Sequence, residues 1–214
     1  MPPPPKLQML PINQYAGVNR DDPIRFYHWP IIGALYRRRV EICLAECRGG
    51  DRVLEVGFGS GVTFLNLRTL YTEIHGLDLT AAVAEVSAVF AARQIQTDLR
   101  NGSALDMPYT DGFFDTVLLI SILEHLKPAE LPLAFQEIRR VLKPGGQMVY
   151  GVPVERPLMV LVFKLLGADI RAQHFSTERQ IAQAARAVLK PLRLAPLKSA
   201  FGPVYEVGHF EKRK

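Results

Sequence analysis

The run Val53-Leu54-Glu55-Val56-Gly57-Phe58-Gly59-Ser60-Gly61 restricts the fold more than any other stretch of the chain. Its first half is apolar and strand-like. Its second half places a glycine at every other position and leads into Val62 to Leu70, which reads as a helix. Gly57 and Gly59 permit a tight turn and let a ligand approach bare backbone. The open helix N-terminus beyond offers unpaired N–H groups to a carboxylate or phosphate. On its own such a loop serves several cofactors, dinucleotides among them.

Beyond the loop, strand-like and helix-like segments alternate, the pattern of a parallel sheet with crossover helices. Strands are expected at 52–56, 73–78, 95–99, 114–120 and 147–152, and helices at 62–70 and 81–93. Phe114 to Ile120 is the strongest strand, apolar enough to sit centrally. Leu131, Phe135, Ile138 and Leu142 recur as one helix face, and Lys143-Pro144-Gly145-Gly146 should stop that helix. Before the loop, Gly33 to Glu46 reads as a helix preceded by an aromatic-rich segment with Tyr15, Phe26, Tyr27, His28 and Trp29. After the fifth strand, residues 154–190 read as mostly helical. Leu192 to Lys198 and Val204 to Phe210 form a final strand pair around a Gly202-Pro203 turn.

A chain of 214 residues suits one α/β domain and is short for two. The net charge of +5 is spread over Arg37-Arg38-Arg39, Arg139-Arg140 and the Lys212-Arg213-Lys214 tail, and reads as solvated surface. It forms no basic stripe with interleaved aromatics, so no nucleic-acid partner is expected. The two cysteines, Cys43 and Cys47, share a helix face, and no second pair completes a zinc site. They read as buried hydrophobes in a cytoplasmic protein, and no metal is expected. Met1-Pro2-Pro3-Pro4-Pro5 lacks the basic start and apolar core of a signal peptide.

Four ordered segments resemble the class I S-adenosylmethionine-dependent methyltransferases, and among them the type-11, small-molecule group that includes quinone-biosynthesis enzymes. They are Leu54 to Gly61, then Gly76-Leu77-Asp78-Leu79, then Gly102-Ser103-Ala104 through Met107-Pro108-Tyr109 to Phe114-Asp115. The last is Leu123-Glu124-His125 through Val141 to Gly146. The resemblance covers roughly residues 50–153. It implies a Rossmann-like seven-stranded, mostly parallel sheet with helices on both faces and a C-terminal antiparallel strand pair. Residues 1–50 become a leader and helix that could act as a lid, residues 51–214 the catalytic domain, and 154–190 a variable substrate-region insert.

The resemblance also assigns roles. Backbone around Gly57, Phe58, Gly59, Ser60 and Gly61 would hold the methionine part of S-adenosylmethionine, with Glu55 steadying the loop or reaching the amino group through water. Asp78 would bind the ribose hydroxyls and Leu79 would pack on the adenine. Ser103 and Ala104 would lie along the adenine edge, and Ile120 and Ser121 would face the sulfonium. Tyr15 could close over the cofactor. The sequence departs from the family at Ser103, where an acid is usual, and at Phe58, where cysteine is common; Asp106 stands near the first of these.

Methyl transfer is a direct displacement, and a base is needed only for a protonated acceptor. His125 and His174 are the candidates, with His28 and Tyr27 behind them. The expected acceptor is a small molecule. The apolar run Leu158 to Leu166 reads either as a core helix or as a lid over an apolar acceptor drawn from a membrane surface. Oligomeric state is left open. Three rivals stand beside this reading. A nicotinamide-dependent oxidoreductase should show G-x-G-x-x-G and a proton-relay pair, and neither is present. A nucleic-acid methyltransferase should show an Asn/Asp-Pro-Pro-aromatic motif or a Pro-Cys nucleophile; Ser121-Ile122-Leu123-Glu124 stands at the first place, and the catalytic half has no cysteine. The third rival is a methyltransferase-like binding module without turnover.

Overall fold

Seven strands pair into one sheet in the order β3-β2-β1-β4-β5-β7-β6. They are β1 (Gly50–Val56), β2 (Tyr71–Asp78), β3 (Thr97–Asn101), β4 (Phe114–Ile120), β5 (Leu142–Pro153), β6 (Lys190–Ser199) and β7 (Gly202–Glu211). The structure, a computed structural model, describes residues 4–18, 22–30, 32–154, 174–199 and 202–213. Six strands share one direction, and β7 alone runs against them, antiparallel between β5 and β6. The fold is therefore the Rossmann-like sheet that the sequence implies, with its C-terminal antiparallel pair. The apolar run Leu158 to Leu166 lies outside the described residues.

Side chains alternate between the two faces of each strand, and two apolar clusters result. Val53, Ile74, Leu118 and Val149 join Val40, Cys43, Leu44, Phe64 and Phe90 on one face. Leu54, Leu77, Val117, Leu119 and Tyr150 join Phe135, Ile138, Ile181 and Phe210 on the other. The first face is covered by the Ile32–Leu44 and Val83–Ala91 helices, the second by the Leu131–Val141 and Glu178–Val188 helices. Cys43 is fully buried and Cys47 half-buried, and burial pushes the Cys47 thiol up to about 12. They are apolar filler, as their spacing suggests.

Several element boundaries differ from the sequence expectation, four of them with a plain physical cause. The helix after the glycine loop is only Phe64–Leu67, because Gly61 to Leu70 is mostly closed by single turns. Strand β3 begins at Thr97 rather than Ile95, whose N–H is still bonded to Phe90 O at the helix exit. The Leu131 helix ends at Val141 as expected, but its Lys143-Pro144-Gly145-Gly146 stop is drawn into β5. There Gly145 N–H donates to Lys212 O at 3.0 Å and Lys212 N–H to Gly146 O at 2.8 Å, and the register shifts between Phe114 and Thr116. Gly202 lies inside β7, paired with Ser199, rather than in a free turn.

Candidate functional site

Val56 pairs with Leu77 on one side and Leu119 on the other. This register brings Gly57, Asp78 and Ile120 out together at the carboxyl edge of three adjacent strands. The chain leaves β1 towards β2 and β3, then returns to β4 on the opposite side. Such a switch point opens a crevice between the two directions. A cavity of about 550 Å³ lies there, within the size range of small-ligand sites. Its wall includes Glu55, Gly57 to Ser60, Asp78, Leu79, Ser103, Ala104, Ile120, Ser121 and His125. Residues far apart in sequence thus share one wall.

The glycine turn is built for close approach. Gly57 has φ +76°, and a Cβ there would stand 1.9 Å from Ile122 Cδ1. Phe58 turns its ring inward onto Phe64, so that its backbone faces the cavity. Gly61 serves packing instead: a Cβ would meet Phe64 and Phe90 at 2.7 Å, and it does not line the wall. Glu55 is 3% exposed and accepts a hydrogen bond from the Thr63 hydroxyl. Burial pushes its carboxyl up to about 8.

Asp78 joins the loop to the next helix. Its Oδ2 accepts from Gly59 N–H at 3.1 Å, and its Oδ1 from Thr80 and Ala81 N–H, each at 2.9 Å. Beside it Leu79 stands 72% exposed at the mouth of the cavity. A carboxylate next to an open aliphatic side chain, across from a cradle that a Cβ would fill, fits a nucleoside with a polar tail. Ser103 lies on the same wall, but its hydroxyl accepts from Leu105 N–H at 3.1 Å, and Asp106 is exposed and off the wall.

Ser121 follows β4 with φ +56°, a conformation that costs a non-glycine residue energy and is concentrated at functional sites. It is held there by its N–H to Gly151 O at 2.7 Å and by its hydroxyl 2.9 Å from Tyr205 OH. The 3-10 turn Leu123–His125 comes next. Glu124 O accepts from Phe175 and Ser176 N–H at 2.8 and 3.2 Å, which brings the 174–176 segment to the cavity. His125 and His174 therefore come together, rings 5.3 Å apart and nearly perpendicular. His125 lines the wall, and His174 sits just behind Phe175, which also lines it. Glu124, His125 and His174 offer ligand atoms within 4.8 Å of one another, a spacing that could hold a metal ion.

Tyr15 is not brought to the wall. It is 9% exposed in the core, and its hydroxyl accepts from Leu10 N–H at 3.1 Å, so it is held below the site. His28 lies off the wall as well, while Tyr27 is buried on it. His75 and His209 are spent on structure: His75 packs on Phe113 and Phe114, and His209 bonds Glu46 and Gln147.

Sequence reasoning missed Asp22, Arg39, Ile122 and Phe175, all of which line the cavity. Asp22 bonds Ile24 N–H at 2.8 Å and touches Ser60 with its carboxylate, and burial raises its pKa. No motif announced it. Arg39 did carry a signal, because it stands one helical turn from the fully buried Cys43 and next to Val40.

Residues 54–150 match the family described as Methyltransferase domain. The chain is 29% identical over 141 residues to the uncharacterized methyltransferase YcgJ of Bacillus subtilis (strain 168), covering 65% of this chain and 52% of that protein. It is 32% identical over 108 residues to the demethylmenaquinone methyltransferase of Symbiobacterium thermophilum, covering 48% and 42%. The chain thus spans about half the length of these curated relatives. In fold it is similar to the N-methyltransferase NodS from Bradyrhizobium japonicum WM9 in complex with S-adenosyl-L-homocysteine. That likeness has a TM-score of 0.70 and 15% identity, over 94% of this chain and 100% of that one. Among the described residues, no helix is long and apolar enough to cross a membrane.

Proposed function

We propose, for a chain whose residues 54–150 match the methyltransferase domain family, that the cavity binds S-adenosylmethionine and directs its methyl group to a small-molecule acceptor of apolar character. The observation that carries this reading is the register of β1, β2 and β4, which puts the glycine turn, Asp78 and Ser121 on one wall. When bound, S-adenosylmethionine supplies an activated methyl group that leaves its sulfur by direct in-line displacement.

The chain's own residues bind, orient and exclude water. Asp78 takes the ribose hydroxyls on the lone pairs its backbone bonds leave, and Leu79 packs on the adenine, with Ser103 and Ala104 along its edge. Gly57, Phe58, Gly59 and Ser60 hold the amino-acid tail through their backbone, with Gly61 and Glu55 keeping the turn in shape. Ile120 and Ser121 face the reacting end, where alignment contributes most of the rate. For a hydroxyl acceptor, His125 takes the proton and His174 orients it. An acceptor delivered from a membrane surface is consistent with quinone chemistry in the similar demethylmenaquinone enzyme.

Two rival readings make different predictions. A binding module without turnover takes up S-adenosylmethionine and leaves the methyl in place. A nicotinamide oxidoreductase binds NAD. Incubating the protein with methyl-labelled S-adenosylmethionine and a panel of phenolic and quinol acceptors tests the proposal. Label transfer that falls at least about 100-fold in His125→Ala supports it and the base role together. S-adenosylmethionine binding with no transfer to any acceptor favours the module.

A further inference from the structure

Ten large apolar side chains stand exposed among the described residues, and four of them fall in one stretch: Phe26, Trp29, Ile32 and Leu35. A single exposed apolar residue is ordinary on a protein surface, whereas several together mark a contact. A rigid corner holds these four in place. The short Ile24–Tyr27 helix buries Ile24 and Tyr27 and turns Phe26 outward. Gly33 N–H donates to Trp29 O at 3.0 Å, so the helical path of Ile32–Leu44 opens at Trp29. A Cβ on Gly33 would stand 2.5 Å from Tyr27 O, so only glycine lets the two helices meet this closely. Trp29, Ile32 and Leu35 then follow one another, three residues apart, along one strip of the helix. The Phe26 ring flanks the strip, 5.4 Å from the rings of both Trp29 and Tyr36.

The charge around the strip has one sign. Residues 22–40 hold four arginines and a single acid, Asp22, whose carboxylate is turned to Ile24 N–H and to Ser60 in the cavity. Arg25 is exposed beside Phe26, and Arg38 is exposed with a 3.7 Å surface pair to Glu41. Such a pair holds its cation weakly. Aromatic and aliphatic side chains rimmed by arginines suit the boundary between headgroups and acyl chains of an anionic bilayer. They suit a second copy of the chain poorly, because two such strips face to face bring like charges together. The same corner reaches the cavity, whose wall includes Pro23, Tyr27 and Val40.

We propose that the corner formed by the Ile24–Tyr27 and Ile32–Leu44 helices is a docking surface for an anionic lipid bilayer. Phe26, Trp29, Ile32 and Leu35 enter the acyl boundary, and Arg25 and Arg38 meet the headgroups. Docking by this corner sets the Pro23–Tyr27 side of the cavity against the lipid, where an apolar acceptor concentrates. That consequence rests on the methyltransferase reading above; the docking itself stands apart from it.

Trp29 is the chain's one tryptophan, so its emission reports on the strip alone. The full chain is mixed with phosphatidylcholine vesicles and with vesicles in which about one third of the lipid is phosphatidylglycerol. On the anionic vesicles the emission should shift to the blue and be shielded from acrylamide. Binding there should be at least about tenfold tighter than to the neutral vesicles, with the difference lost at high salt. Ile32→Ser/Leu35→Ser, which keeps Trp29, should weaken binding at least about tenfold. Arg25→Gln/Arg38→Gln should remove the preference for anionic lipid, and it carries the test should the serine variant melt early. Leu133→Ser, at a side chain as exposed on the Leu131–Val141 helix, should bind as the wild type does. All three should hold S-adenosylhomocysteine within about twofold of wild type. Trp29 emission unmoved by either vesicle, or vesicle binding that neither pair of substitutions changes, overturns the docking surface. So does a chain that sediments as a dimer without lipid and as a monomer in Ile32→Ser/Leu35→Ser, since the strip then belongs to a second copy. S-adenosylhomocysteine uptake without vesicle binding overturns the docking and leaves the methyltransferase reading standing. Vesicle binding without S-adenosylhomocysteine uptake upholds the docking and sinks that reading.

Discussion

Glu55 and Asp115 are carboxylates on neighbouring strands at opposite edges of the same sheet. Glu55, near the carboxyl end of β1, has the Thr63 hydroxyl as its partner, and burial drives its carboxyl up to about 8. Asp115, at the amino end of β4, is also partly buried, which alone would raise it. Lys143 Nζ at 2.8 and 2.9 Å and the N–H groups of Asp51 and Arg52 at 3.1 and 2.8 Å outweigh that and hold it below the usual value. The amino edge satisfies its charges and fixes structure. The carboxyl edge holds a desolvated acid, a serine at positive φ and the Arg39 guanidinium with an unmet donor around one cavity. Unmet chemistry on a rigid sheet is what marks the site.

The sharpest way to break this contrast is a pH series. The folded chain keeps a Glu55 proton that the unfolded chain releases near about 4.5, so the folded state binds more protons between those values. Stability should therefore fall as pH rises from about 4.5 to about 8 and level off above, an effect on the order of several kcal/mol. Urea midpoints should show this slope in the wild type and not in Glu55→Gln; parallel curves would place Glu55 among the satisfied acids.

Gly57→Ala comes next. The added Cβ meets Ile122 at a residue whose φ is +76°, and the cost should be about 2–3 kcal/mol in urea unfolding, with S-adenosylhomocysteine binding lost. Asp78→Ala should weaken S-adenosylhomocysteine at least about tenfold. Asp78 also accepts from three backbone N–H groups, so a further loss of about 1–2 kcal/mol of stability is expected.

Asp115→Asn is the smallest and the control. Its lowered pKa means that its contribution is present above about 4 and is lost as pH falls through the folded value. The variant should lose about 1 kcal/mol at neutral pH and bind S-adenosylhomocysteine as the wild type does. Weaker binding in Asp115→Asn would mean that the two edges are not independent.

Much of the sheet is legible because its signals are local. Phe114–Ile120 reads as a strand from its own composition, and the alternation of apolar segments with helix periodicity fixes the parallel core. The glycine turn and Asp78 are legible for the same reason, each sitting at a strand end where the residue type is dictated. Features that depend on partners distant in sequence escape such reading. Lys143 to Gly146 joins β5 only because Lys212 bonds across to Gly145 and Gly146. Asp22 reaches Ser60 across a long stretch of chain, and Tyr15 is drawn into the core rather than over the cavity. Arg39 lies within reach of helix periodicity, but its charge in a basic triplet points to solvent.

Calorimetric titration of the full chain with S-adenosylhomocysteine, with NAD as the control ligand, tests the central claim most directly. Saturable one-to-one binding of S-adenosylhomocysteine, weakened in Asp78→Ala and unchanged in Asp115→Asn, is the expected result, with no heat from NAD. Binding of NAD, or no binding of S-adenosylhomocysteine to the wild type, would contradict the assignment of the cavity.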